Sequence, residues 1–294
     1  MLPHRKTWVY FNDRLARYLF ISSAVLVSLI ILCIIWFVGM QGLATFREAS
    51  VIEFFTSSKW SPDTGQFGGL TFIVGSLGTT VIAILLGGPL GLAGAVFLAE
   101  IAPPWVRSFM RPATDLFAGI PSVVYGYVGL TVIVGFLRKS THSSTGFGIL
   151  AAGIVLAIMI LPTVISLSED ALRSLPGTYK EASLALGATR WQTIRRVLVP
   201  AASPGILTAI ILAMARAIGE TMAVQMVIGN SPRFPGSLVS PTSTLTSNIV
   251  MEMGNTPFGS TWNNALFLMA FILLIIALIL IILVRTAVRK GAVR

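Results

Sequence analysis

Charge is scarce in this chain. Asp, Glu, Lys and Arg make up 11% of its 294 residues, whereas a soluble domain carries about 25%. That excludes an ordinary water-soluble globule, and a hydrophobic content of 55% points to a membrane protein. Cysteine is nearly absent. Cys33 is the only one, so no intrachain disulfide can form, and its place inside an apolar run marks it as a packing residue, not a reactive thiol. Histidine occurs only at His4 and His142. Neither has a ligand partner nearby in sequence, which leaves a metal site or a histidine proton relay without support. A Gly-x4-Gly-Lys-Ser/Thr loop is also missing, so the chain cannot hydrolyse ATP alone. An intramembrane enzyme needs clustered nucleophiles, acids or metal ligands, and mid-span positions offer only Arg216 and Glu220. Acidic residues are few, 11 against 21 Lys and Arg, for a net charge of +10. No basic cluster is interleaved with aromatics as a strand-binding surface would be, and no nucleic-acid partner is expected.

What is present is a series of long apolar runs. Six spans are expected at 19–40, 71–99, 114–137, 148–168, 204–228 and 265–284, each near or above the roughly 20 residues needed to cross a bilayer. Basic residues set their orientation. Arg5, Lys6, Arg14, Arg17, Arg107, Arg111, Arg173, Lys180, Arg190, Arg195, Arg196, Arg285, Arg289, Lys290 and Arg294 fall on one side. Arg47, Lys59, Arg138, Lys139 and Arg233 fall on the other. The richer side is cytoplasmic by the positive-inside rule, which places both termini and the loop 169–203 inside. Topology thereby explains most of the net charge.

The chain divides into a cytoplasmic lead (1–18), a first membrane helix with an external loop (19–69), a transmembrane domain (70–284) and a basic tail (285–294). The first apolar run is too long for a signal core and is expected to be retained. In the loop 41–69, Phe46, Val51, Phe54 and Phe55 alternate with Glu48 and Glu53, the pattern of a short interfacial helix. Gly87, Gly88, Gly91 and Gly94 surround Pro89 in the second span. A phosphate-cradling loop would follow a strand; inside an apolar span these small residues instead predict close helix packing and a kink at Pro89. Residues 100–113 are expected as an internal loop. Span three opens with Asp115 and contains Pro121 and Ser122, and Pro162 predicts a further kink in span four. Thr244 to Met253 are expected to form a short helix in an external loop rich in Ser, Thr, Pro and Gly.

Residues 178–200, TYKEASLALGATRWQTIRRVLVP, are polar and basic between two apolar spans. Thr178 with Glu181, and Thr189 with Gln192, have the spacing of two capping boxes. Gly187 is placed as a left-handed cap between two short helices. Trp191, Ile194 and Leu198 share one face at helical spacing, and Pro200 is expected to limit the second helix. The next span carries Arg216 and Glu220. Arg216 lies about twelve residues beyond Pro204, or roughly 18 Å along a helix, near mid-bilayer. Each such charge costs about 2.5–3.5 kcal/mol on insertion scales. A spacing of four puts both residues on one helical face, which must meet protein or a polar cavity. A secondary transporter or channel would also carry such charges but would not need the loop at 178–200.

Glu181, Ala182, three residues, Gly187, nine residues, Val197, and then Val199-Pro200 resemble the EAA loop of bacterial ABC importer permeases. Ser183, Val197 and Val199 depart from that pattern conservatively. ARAIGETMAVQMVIGN at 215–230 resembles the C-type permease of the phosphate-specific (Pst) importers, whose A-type partner usually has proline where Val224 stands, and GIPSVVYG at 119–126 resembles both Pst permeases. The resemblance covers the chain from about Leu70 onward. It implies an all-α membrane protein of six transmembrane helices, with the type I importer permease fold and cytoplasmic coupling helices. It implies a non-catalytic permease subunit in a bacterial or archaeal cytoplasmic membrane, importing inorganic phosphate. The implied partners are a related A-type permease, two ATPase subunits that use ATP and Mg, and an external phosphate-binding protein, all set among membrane lipids. Glu181, Ala182, Ser183, Gly187 and Trp191 would couple to the ATPase. Arg216, Glu220, Thr221, Ser122, Tyr125 and Asn230 would line the substrate path. No catalytic residue, metal or cofactor is expected on this chain. The closest alternatives are a permease for another oxyanion, such as sulfate or molybdate, or the A-type phosphate half.

Overall fold

The computed structural model describes residues 4–291, with side chains from 13 to 286. The side chains of His4, Arg5, Lys6, Arg289 and Lys290, and the whole of Arg294, lie outside those limits.

Fourteen helices carry the described chain. They are α1 (His4–Leu43), α2 (Val51–Thr56), α3 (Leu70–Val96), α4 (Pro104–Ala118), α5 (Ser122–Val128), α6 (Gly135–Ser140) and α7 (Ile149–Arg173). After these come α8 (Thr178–Ala185), α9 (Arg190–Thr193), α10 (Val199–Ala201), α11 (Ser203–Gly219), α12 (Met222–Ile228), α13 (Leu245–Glu252) and α14 (Thr261–Gly291). Wide π turns at Phe97–Ile101, Gly129–Val134 and Ile194–Leu198 extend α3, join α5 to α6 and join α9 to α10. The only strands among the described residues are β1 (Trp60–Ser61) and β2 (Gln66–Phe67), an antiparallel pair with Trp60 opposite Phe67.

Five helices are long and apolar enough to cross a membrane: Asp13–Arg47, Leu70–Ile101, Ser122–Ser140, Ile149–Arg173 and Thr261–Thr286. Counted as one, the bent pair Arg190–Ala201 and Ser203–Gly219, which turn by 68°, makes a sixth among the described residues. The count of six therefore stands, but two spans differ from expectation. Residues expected as a loop before span three form α4, and the membrane segment starts at Ser122, not at 114. Proline supplies the reason at both ends of α4. Pro104 opens it, where a missing N–H costs nothing, and Pro121 disfavours helical geometry at Ile120 and ends it. The expected continuous helix 204–228 is also broken, at Glu220.

The core sits between α3 and α7. Leu156, Met159, Ile160 and Val164 of α7 are buried there. Close approach is what the glycine run of α3 provides: a Cβ at Gly87 would lie 2.8 Å from Ile160, and one at Gly91 2.6 Å from Val164. Pro89 and Pro162 lie within these helices, which continue through them as single elements.

A second cluster caps one end of the bundle. Phe54, Trp60, Phe67 and Phe72 pack with Leu245, Leu266 and Met269. The segment 41–69 is thus folded onto the bundle, with Phe54 of α2 fully buried. Glu252 binds it in place: the indole N–H groups of Trp60 (2.9 Å) and Trp262 (2.7 Å) both donate to its carboxylate. Glu48 accepts from the Thr261 hydroxyl. By contrast α1 keeps most of its apolar side chains exposed, as lipid-facing residues are. It meets α14 through Phe37 on Phe267 and a 2.7 Å hydrogen bond from Gln41 to Asn264.

Candidate functional site

Two places combine polar chemistry with the bundle: the loop between α7 and α11, and the break between α11 and α12.

The loop is a rigid corner. Gly187 has φ +82°. Ala188 N–H donates to the Ser183 carbonyl (3.2 Å) and Gly187 N–H to the Leu184 carbonyl (3.0 Å), the paired bonds of a Schellman motif. Beyond the corner, Thr189 and Gln192 complete their capping box at 2.8 and 3.3 Å. The expected box at Thr178 does not form. Gly177 already occupies helical φ/ψ and is the cap residue, so Thr178 lies inside the first turn. Pro200 does not end the second helix either; the chain stays helical to Ala201 and turns at Ala202.

Burial divides the predicted coupling residues. Glu181, Ala182 and Gly187 are exposed, and Trp191 is 61% exposed. Ser183 is buried, and its hydroxyl shares a 2.9 Å hydrogen bond with that of Thr193; it braces α8 on α9. Trp191 also leaves the face of Ile194 and Leu198, which are buried with Ala95, Leu172 and Ile206. The π turn beginning at Ile194 shifts the register after Trp191. Sequence reasoning missed Leu186, 89% exposed. Its position just before the cap glycine is the only signal that marked it. Lys180 pins α8 to Glu100, in the π turn that ends α3, at 2.6 Å. A cavity of about 350 Å³ lies there among Glu100, Lys180, Leu184, Arg190 and Trp191.

At the second place, α11 stops at Gly219 and Glu220 is extended, with φ −69° and ψ 132°. Arg216 and Glu220 therefore do not share one helical face. Arg216 is half-buried, and among the described residues no acidic group lies within 4.0 Å of it. Its one recorded partner is the Thr163 hydroxyl of α7, at 3.5 Å. Glu220 turns to the next helix, where its carboxylate accepts from Ala223 N–H at 3.3 Å. Its carbonyl, freed by the break, accepts from the Thr246 hydroxyl at 3.0 Å. Thr221 sits in the break with its hydroxyl 3.3 Å from the Gly219 carbonyl.

A second break lies alongside. Between α4 and α5 the Tyr125 hydroxyl donates to the Phe117 carbonyl at 2.7 Å. Gly126 lets α5 and α12 touch: a Cβ there would sit 2.9 Å from Ala223 Cα. Ser122 begins α5, half-buried. Asn230 is more distant in role. It has φ +47°, and its amide donates to the Gln225 carbonyl at 2.8 Å, closing the end of α12. So Arg216, Glu220 and Thr221 lie around the break between α11 and α12, Tyr125 ties α5 to α4, and Asn230 closes the end of α12. Thr163 and Thr246 went unnoticed in the sequence, because partners 53 and 26 residues away leave no local pattern. Among the described residues no group of three His, Cys, Asp or Glu could hold a metal ion.

The family described as "Binding-protein-dependent transport system inner membrane component" matches residues 87–291. The chain belongs to this family. Among the importer permeases related to it, the probable ABC transporter permease YqgH of Bacillus subtilis is 50% identical over 253 residues, 85% of this chain and 82% of that one. The phosphate transport permease PstC of Mesorhizobium japonicum is 36% identical, with 86% and 83% covered. PstC of Haemophilus influenzae is 30% identical, with 97% of each chain covered. A permease chain of a bacterial alginate ABC transporter has the same fold, with a TM-score of 0.66 over 95% of this chain and 97% of its own at 16% identity. The importer permease is thus a multi-pass membrane protein of the type I fold, of the PstC type.

Proposed function

We propose that the chain is the C-type half of an ATP-driven importer of inorganic phosphate. The observation that carries this reading is Arg216: a guanidinium without an acidic partner, at a helix break, in a permease whose relatives include PstC proteins. Its planar fork of donors suits phosphate oxygens. Glu220, while ionised, only accepts hydrogen bonds. Phosphate near neutral pH keeps a proton to donate and sulfate does not, so the pair selects by repulsion as well as attraction. Ser122, Thr221 and Tyr125 belong to the wall of the same path, with Asn230 holding its α12 end.

The partners are a PstA-type permease, an ATPase pair that uses ATP and Mg, an external phosphate-binding protein, and lipid around α1. The exposed residues Glu181, Ala182, Leu186 and Trp191 meet the ATPase, and Gly187 sets their corner. Both termini lie in the cytoplasm with that loop, and the 70–284 domain tilts as a body when the ATPases close, giving alternating access. Radiolabelled phosphate uptake tests the reading, in cells lacking their own high-affinity system and supplied with the partner genes. Uptake that needs this chain and resists excess sulfate is expected. ATPase assembly without phosphate uptake would redirect the reading to another oxyanion.

A further inference from the structure

Residues 242–248, Thr-Ser-Thr-Leu-Thr-Ser-Asn, are polar at all but one position, yet every one is buried. Polar groups are buried at a cost unless they are hydrogen-bonded, and here they are bonded to chosen partners. Thr244 caps α13 through a capping box with Ser247. Leu245 N–H donates to the Ser76 hydroxyl of α3 at 2.9 Å. Gly75, beside it, leaves no room for a side chain: a Cβ would lie 2.2 Å from the Ser243 carbonyl oxygen. The start of α13 is therefore fixed to α3. From that fixed point Thr246, 6% exposed, donates to the Glu220 carbonyl at 3.0 Å.

That carbonyl is one of those the break leaves without a helical partner. A backbone acceptor released from a helix inside a membrane must find a partner in protein or cavity water. Gln225 N–H holds the Thr221 carbonyl at 2.8 Å, but the local bonds made by Glu220 and by the Thr221 side chain are longer: Glu220 N–H to Ala217 at 3.4 Å, Thr221 hydroxyl to Gly219 at 3.3 Å, Ala223 N–H to the Glu220 carboxylate at 3.3 Å. Thr246 is the bond that comes from a separate, anchored element. We propose that Thr246 is a positioning residue for transport, holding the Glu220 backbone so that the carboxylate stays at the break, on the Ala223 N–H at the start of α12. The proposal rests on the reading of Glu220 as a path residue. A hydroxyl-free side chain of the same shape leaves the carbonyl unpaired, and Glu220 then samples other orientations.

The test compares Thr246→Val, Thr246→Ser, Glu220→Gln and the double variant Thr246→Val/Glu220→Gln. Inorganic phosphate uptake is measured in the complete complex with its partner subunits and normalised to assembled complex. Thr246→Val is expected to slow uptake about five- to tenfold, the size set by one buried hydrogen bond. Thr246→Ser restores it to within about twofold, because the donor returns. The double variant is no slower than Glu220→Gln alone, since both act through one group. Should Thr246→Val fail to assemble, Ser76→Ala, which loosens the anchor without touching Glu220, is read in its place with the same expectation. Slow Glu220→Gln beside native-rate Thr246→Val overturns the inference and leaves the path reading intact. Losses that multiply in the double variant also overturn it. Native uptake by Glu220→Gln removes the path reading itself, and the inference with it.

Discussion

At the scale of single residues, the chain keeps a charge at the end of α11 with no counter-charge within 4.0 Å among the described residues. An arginine in a membrane is costly and is normally paired or turned to water. Among the described residues Arg216 instead meets the Thr163 hydroxyl, which neutralises nothing. Glu220 lies nearby in sequence and is held by the Ala223 N–H beyond the break and by the Thr246 hydroxyl of α13. An anion passing Arg216 would supply the missing charge, and the carboxylate would set which anion passes. Glu220→Gln is therefore expected to narrow the preference for phosphate over sulfate by about tenfold, the worth of one charge-assisted contact, and to slow uptake. Competition assays with both anions read this directly; an unchanged preference would place selectivity elsewhere in the complex.

At the scale of elements, the coupling corner was largely legible. Gly187 needed only the rule that a left-handed cap takes glycine, and the Thr189 box followed from spacing. The Thr178 box did not form because Gly177 began the helix one residue early. The break at Glu220 was hidden for a different reason. No proline marks it, and the apolar run reads on through Ala223 and Val224; tertiary bonds from Thr246 and the contact with α5 stabilise a geometry that local propensity does not ask for. The buried 242–248 segment was read as external loop because hydroxyls look soluble until their partners are known. A prediction belongs here. Leu186→Asp, at a residue 89% exposed, leaves the fold intact and weakens ATPase retention on purification at least tenfold, because a charge replaces an apolar contact. Gly187→Ala acts through φ, at about 1 kcal/mol, and is expected to lower thermal stability more than retention. The reverse order would mean that the corner, not its exposed side chains, is the docking surface.

On the scale of the molecule, apolar periodicity and length located six spans, and structure corrected their edges at α4 and α12. Composition could not reveal that the chain breaks between α4 and α5 and again between α11 and α12, where α5 and α12 touch. Discontinuous helices at a permeation site are a recurring solution in transporters. Here the breaks are joined by glycine contact between α5 and α12, so motion of one bears on the other. The measurement that tests the account most directly is phosphate uptake by Arg216→Gln in the assembled complex. Losing hydrogen bonds from a charged donor is worth about 1.5–3 kcal/mol, so uptake is predicted to fall ten- to a hundredfold while the ATPase stays bound. Native-rate uptake by that variant would contradict the central claim that this unpaired cation handles the ion.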